Sequence, residues 1–239
     1  MSGHSKWANI KRRKEAVDGK KANIFSKIGK ELTVAVRDGG SDPNTNRKLK
    51  DVISKAKSNN MPNDNIQRCI QKASGEGSSV NYEEIVYEGF GPCSVSVIIE
   101  AMTDNKNRAA ADIISVFTKS GGNMGQTGSV SYMFDKKGVI VIEKNETINE
   151  DELMLEVLDN GAEDFISNEE YIEIRTEVGE FSKLKDYLED KGYTFIESEI
   201  KMIANIKKEL TEEEENKLQI FLDKLEDLDD VQNVWHNAE

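Results

Sequence analysis

A change of hydrophobic period near residue 78 limits what this chain can fold into more than any other feature. Before it, apolar residues recur every three or four positions, as on helices with one buried face; after it they alternate, as on strands. Between the two lies Gly75-Glu76-Gly77-Ser78-Ser79, a composition suited to a flexible linker.

The first part reads as helices throughout. Residues 5–17 form a weakly amphipathic helix expected to end at Gly19. Residues 23–36 are stronger, because Phe25, Ile28, Leu32, Ala35 and Val36 fall on one face, and Gly39-Gly40 supplies a stop. Asp42 followed by Pro43 reads as an N-cap with proline in the first turn, leading to Leu49, Val52, Ile53 and Ala56 on one stripe. A further helix over 64–73 buries Ile66, Ile70 and Ala73.

The second part alternates. Ile85 and Tyr87 precede a hairpin turn expected at Gly89-Phe90-Gly91-Pro92, with Val95, Val97 and Ile99 returning. Asn105 caps a helix carrying Ala110, Ile113, Ile114 and Phe117, and a third strand is expected at 129–134. Then strand 139–143, helix 150–158, strand 162–167, strand 171–176, helix 181–191 and strand 194–198 give β-α-β-β-α-β, the ferredoxin-like order. A strand near 200–206, an acidic helix over 211–228 and a strand at 231–235 finish the chain. The expected fold class is α+β, an N-terminal helical domain followed by two ferredoxin-like α/β domains, one inserted into the other. The domains expected are a basic helical domain at 1–78, a ferredoxin-like domain at 79–135 plus 200–239, and an inserted one at 136–199.

Charge separates along the same line. The formal net charge is −13, which for a uniform surface would repel nucleic acid. Yet residues 1–75 hold 17 Lys and Arg against 7 Asp and Glu, a net of +10, and the remainder holds 15 against 38, a net of −23. A basic head on an acidic body points to contact with a polyanion through the head. The charge is densest in Gly3 to Lys14, GHSKWANIKRRK, where Trp7, Lys11 and Lys14 share one side of a helix. Cations there suit a phosphate backbone, and Trp7 suits stacking on an unpaired base or a place in the helical core.

Catalytic patterns are missing. His4 and His236 stand at opposite ends, and Cys69 and Cys93 have neither disulfide nor zinc spacing, which fits a reducing, cytoplasmic setting. Glu212 to Glu215 open a helix, where acids favour the dipole. The loop GGNMGQTGS at 121–129 follows a helix and precedes a strand, the reverse of a phosphate-binding fingerprint, and reads as a structural turn. No run of 18 apolar residues exists to cross a membrane.

Seven stretches carry a family resemblance: GHSKWANIK at the start, GGSDPNTN at 39–46, MPNDNI at 61–66, YEGFGP at 87–92, TDNKNR at 103–108, GSVSYMF at 128–134 and DVQNVWHNAE at 230–239. In order and over nearly the whole length, they resemble the YebC/PmpR family, which includes the mitochondrial translational activator of cytochrome oxidase. Cys93-Ser94 departs from the small residues usual there, and Lys106 from the usual arginine. The resemblance implies three domains, one α/β domain inserted in the other, a cytoplasmic location and no catalysis. It also implies one of two roles: a ribosome-associated translation factor relieving stalling at proline-rich stretches, or a DNA-binding transcriptional regulator.

The expectation is thus a non-enzymatic, nucleic-acid-binding regulator of gene expression, foremost on the ribosome. Its partner would be rRNA or tRNA there, or promoter DNA, with no membrane and no cofactor, the protein acting as a monomer. A ligand-sensing or protein-interaction module is the reading from another class, since ferredoxin-like domains often serve so. The candidate nucleic-acid-binding residues are His4, Lys6, Trp7, Lys11, Arg12, Arg13, Lys14, Lys20, Lys21, Lys27, Lys30, Lys106 and Arg108.

Overall fold

The computed structural model describes the backbone of residues 3–75 and 80–239, and the side chains of 21–75 and 80–239. These residues divide into two compact units, 9–130 with 208–238 and 3–8 with 131–207 and 239.

The chain opens with α1 (Gly3–Gly39), α2 (Arg47–Ser58) and α3 (Asn63–Ser74). Two helices were expected where α1 runs unbroken. A glycine inside a helix costs only about 1 kcal/mol relative to alanine, and Lys20, Lys21 and Ala22 after Gly19 are good helix formers. Ile28, Leu32, Ala35 and Val36 of α1 meet Leu49, Val52 and Ala56 of α2, with Met61 and with Ile66 and Ile70 of α3, in one core.

Asn46, not Asp42, caps α2. Its Oδ1 accepts from Leu49 N at 3.0 Å, while its Nδ2 donates to Ala35 O at 2.7 Å and Gly40 O at 2.8 Å. One buried amide thus satisfies the end of α1 and the start of α2 together, and only a side chain with both donor and acceptor can. Gly39 makes room, since a Cβ there would stand 2.7 Å from the Asn46 amide. Asp42 instead closes the connecting turn, its Oδ1 accepting from Asn44 N at 2.9 Å.

Past the linker come β1 (Glu83–Phe90), β2 (Ser96–Thr103), α4 (Lys106–Lys119) and a two-residue β3 (Asn123–Met124). The chain then makes β4 (Phe134–Glu143), α5 (Glu150–Asp159), β5 (Ala162–Ser167), β6 (Tyr171–Thr176), α6 (Val178–Asp190) and β7 (Phe195–Ala204), and ends with α7 (Glu212–Glu226) and β8 (Val231–His236). One sheet has the order β3-β1-β2-β8 and the other β5-β6-β4-β7, both antiparallel. The second has the ferredoxin-like order and lies in the chain between β3 and β8.

Each sheet carries two helices on one face. Val97, Ile99 and Val234 pack under Ile113 and Phe117 of α4 and Phe221 and Leu225 of α7. Phe117 and Phe221 meet edge to face at 4.9 Å, a geometry worth about 1 kcal/mol beyond area burial. In the other unit Ile140, Ile142, Ile172 and Ile174 lie under Leu153, Val157, Leu184 and Leu188. The fold is α+β, a helical region followed by two four-stranded antiparallel sheets.

Three local expectations change. The third strand is not at 129–134: β3 pairs Asn123 and Met124 with Phe90 and Gly89, Ser131–Met133 is a 3-10 turn, and β4 begins at Phe134. The stretches 194–198 and 200–206 are one strand, β7, whose residues through Ala204 pair with β4, because no glycine or proline interrupts their alternation. The hairpin turns later than Gly89-Pro92, on Cys93 (φ 58°) and Ser94 (φ 57°). Positive φ at both central residues defines a type I′ turn, which prefers glycine at the second and strains other residues by about 1–2 kcal/mol each.

Two stability changes follow. Asn46→Asp sets a carboxylate against the Ala35 and Gly40 carbonyls, so urea unfolding should show a loss of about 2–3 kcal/mol. Ser94→Gly should raise stability by about 1 kcal/mol by the same measurement.

Candidate nucleic-acid interface

The basic head begins on α1, but the side chains of His4, Lys6, Trp7, Lys11, Arg12, Arg13, Lys14 and Lys20 lie outside the described residues. Lys21 is exposed. Lys27, Lys30, Lys106 and Arg108 bond to protein groups.

Lys27 Nζ donates to Glu226 O at 2.6 Å, a cation on the last carbonyls of α7 where the helix dipole favours one. Lys30 Nζ reaches Asp230 Oδ1 at 2.7 Å, Asp229 O at 2.8 Å and Met102 O at 3.3 Å, and stands 5.6 Å from the centre of the Tyr82 ring. Arg108 reaches the other oxygen of the same carboxylate, with Nε at 3.2 Å and Nη2 at 2.8 Å from Asp230 Oδ2, and Nη2 also at 2.7 Å from Asp104 Oδ1. The side chains of Lys30 and Asp230 are only 11% and 9% exposed, so their charges depend on each other. Arg108, 49% exposed, sits at the rim.

Burial alone would raise the Asp230 pKa, but the hydrogen bonds from Lys30 and Arg108 outweigh it and hold the carboxyl below its usual value. The guanidinium of Arg108 shifts up, chiefly through its hydrogen bond to Asp230. Beside this cluster opens a cleft of about 520 Å³. Five aspartates, Asp104, Asp112, Asp227, Asp229 and Asp230, face it against the two cations Lys30 and Arg108. That balance repels phosphate. Lys27 and Lys30 thus bond within the protein, and Arg108 serves the same carboxylate as Lys30. Lys106 differs: its pair with Glu83 Oε2 at 2.5 Å is exposed on both sides, and such pairs contribute about 0–1 kcal/mol, little enough for a phosphate to displace.

The glycine-rich loop is structural, as expected. Glu88, buried, accepts from Gly128 N and Val130 N at 2.8 Å each, while its own carbonyl accepts from Gly125 N at 2.8 Å. Those amides are consumed by the protein. The acids that open α7 also have a structural role: Thr211 and Glu214 form a capping box.

With this geometry in place, the sequence matches the family described as "TACO1/YebC protein N-terminal domain" over residues 5–76 and "TACO1/YebC second and third domain" over 82–238. The chain belongs to the TACO1/YebC family. Family relatives include a "Probable transcriptional regulatory protein" of Acetivibrio thermocellus, 56% identical over 99% of this chain and 98% of that one. Another, with the same description, is from Ruminiclostridium cellulolyticum, 58% identical over 100% and 97%. Among solved structures, the crystal structure of a conserved hypothetical protein, Aq1575, from Aquifex aeolicus is similar at a TM-score of 0.82 and 40% identity, covering 93% of this chain and 92% of that one.

Within the family motifs, sequence reasoning placed Lys106 and Arg108 of TDNKNR but overlooked Asp230, the first residue of DVQNVWHNAE. A lone aspartate 122 positions from Arg108 and 200 from Lys30 gives no local sign of either pairing.

Asp230→Asn should leave Lys30 buried without its counter-charge and lower stability by about 3 kcal/mol at neutral pH. Because the folded carboxyl titrates below its ordinary value, its contribution is full above the unfolded pKa and disappears as pH falls through the folded one. The difference between the two proteins should therefore begin to shrink only below about pH 4 and vanish once the pH is below the folded value, as read by urea unfolding across pH.

Proposed function

We propose that this chain is a non-enzymatic, nucleic-acid-binding regulator of gene expression that grips the phosphate backbone through the N-terminal half of α1. The observation that carries the reading is the charge split, +10 over residues 1–75 against −23 beyond. With Lys27, Lys30 and Arg108 engaged by protein groups, the reading rests on His4, Lys6, Trp7, Lys11, Arg12, Arg13, Lys14, Lys20, Lys21 and Lys106. Cations bind by releasing counterions, without choosing sequence, and Trp7 adds about 1–3 kcal/mol where it stacks on an unpaired base.

A ribosome is the target this charge distribution suits best. A chain that carries both a basic head and an acidic cleft is accommodated where RNA and basic proteins lie side by side, while a bare duplex repels the acidic part. Promoter DNA is the second reading, supported by the description of the relatives as probable transcriptional regulatory proteins. On the first reading, loss of the protein raises ribosome pausing at proline runs and the protein sediments with ribosomes; on the second, a discrete promoter site is protected from cleavage.

Both readings share one expectation. Replacing Lys11, Arg12 and Arg13 with Glu should weaken binding by a similar factor on every sequence and make log K less steep in log salt by about 3, roughly one per lost phosphate contact. Salt-titrated anisotropy measures this, and an unchanged slope would sink the assignment of the head.

A further inference from the structure

The helical region spends its positive charge on two different sides. Of the 11 Lys and Arg in residues 21–75, four reach across to the first sheet's own unit. Lys27 meets Glu226 O, Lys30 meets Asp230, Arg37 meets Asn81 Oδ1 and Tyr82 O at 2.7 Å each, and Lys48 meets Glu84 at 3.0 Å. Those contacts fix which side of the three-helix core faces the acidic groups.

Other cations of α2 and α3 lie on the faces turned away from the three-helix core. On α2, Arg47, Lys50 and Lys57 are exposed and fall within a sector of about 80°, at 100° per residue, away from buried Leu49, Val52 and Ala56. On α3, Arg68 and Lys72 are exposed one turn apart, away from buried Ile66 and Ile70. The side chains of Lys57, Arg68 and Lys72 have no hydrogen-bond or ion-pair partner among the described residues. Asp51 and Asp64 are the only acids of the two helices.

We propose that the outward faces of α2 and α3 form a second phosphate-contact surface, taking the sugar–phosphate backbone of the same nucleic acid that the head of α1 grips. This rests on the nucleic-acid reading above. The chemistry of the faces selects a phosphodiester chain over other anionic surfaces. They carry no exposed large apolar side chain, which a membrane surface would need, and no aromatic on which a base would stack. What remains is lysine and arginine among Gln67, Gln71 and Ser58, the side chains that meet phosphate oxygens without reading bases. The platform is also stiff, because Asn46 bonds α2 to α1 and all three helices share one core. Its cations are held in fixed spacing before the ligand arrives, which lowers the ordering cost of binding.

The test uses the full chain, a mixed-sequence DNA duplex and an RNA hairpin, with binding followed by anisotropy over a salt series. The variant K57Q/R68Q/K72Q is compared with K208Q/K217Q/K224Q, which removes the same charge from the acidic part. The outer-face variant should weaken binding by tenfold or more, as an order of magnitude, and flatten the salt slope by about 3, while the control keeps the wild-type slope. An effect on one probe alone supports the surface and names its ligand as DNA or RNA. A wild-type slope in the outer-face variant, or equal losses in both variants, overturns this surface and leaves the head of α1 standing. Wild-type protein that binds neither probe overturns both. Matching thermal unfolding curves establish that each variant is folded.

Discussion

Asp230 holds two cations from different elements of one unit, and much of that unit's arrangement depends on it. Lys30 on α1 meets one carboxylate oxygen and Arg108 on α4 meets the other, at 2.7 and 2.8 Å. Neither Lys30 nor Asp230 is exposed enough for water to stabilise its charge alone, so separating them leaves a buried ion on each side. The same lysine also draws in the carbonyls of Met102 and Asp229 and the face of Tyr82. Helix α1, the end of β2, the start of α4 and the turn into β8 are thereby joined at one point.

That junction bears on function through subtraction. A chain with a net charge of −13 has few positive side chains to present to a polyanion. Those at the junction are spent on holding the helical region against the first sheet, and the aspartates around the cleft turn phosphate away there. Within the helical region, the cations outside that junction lie on the N-terminal half of α1 and on α2 and α3. Internal ion pairing thus decides which basic residues are left for a partner, and the division is spatial where composition shows only a total.

Much of the fold was legible in the sequence because it rests on local physics. Period, capping and dipole chemistry suffice for α4 after Asn105, for the βαββαβ order and for the acidic start of α7. The misplacements share a cause. Asp42 carries the stronger local N-cap signal, yet Asn46 caps α2 because the end of α1 offers two carbonyls that only an amide can bond. Residues 129–130 alternate like a strand, yet Glu88, about 40 residues earlier, takes the amides of Gly128 and Val130. In each case a partner distant in the chain outweighed the local preference.

By itself, the sequence determined the α+β class, the helical beginning, the order of the second sheet and the accumulation of positive charge before residue 78. All of these follow from side-chain period, turn chemistry and net charge, which are properties of neighbouring residues. Only the tertiary structure decided that Lys27, Lys30 and Arg108 bond to groups far along the chain, that the glycine-rich loop is bound by Glu88, and that exposed cations of α2 and α3 lie away from the buried stripes of their helices. The physical reason is that a charge acts on whatever lies within a few ångströms, and for these residues those neighbours stand tens to hundreds of positions away in the chain.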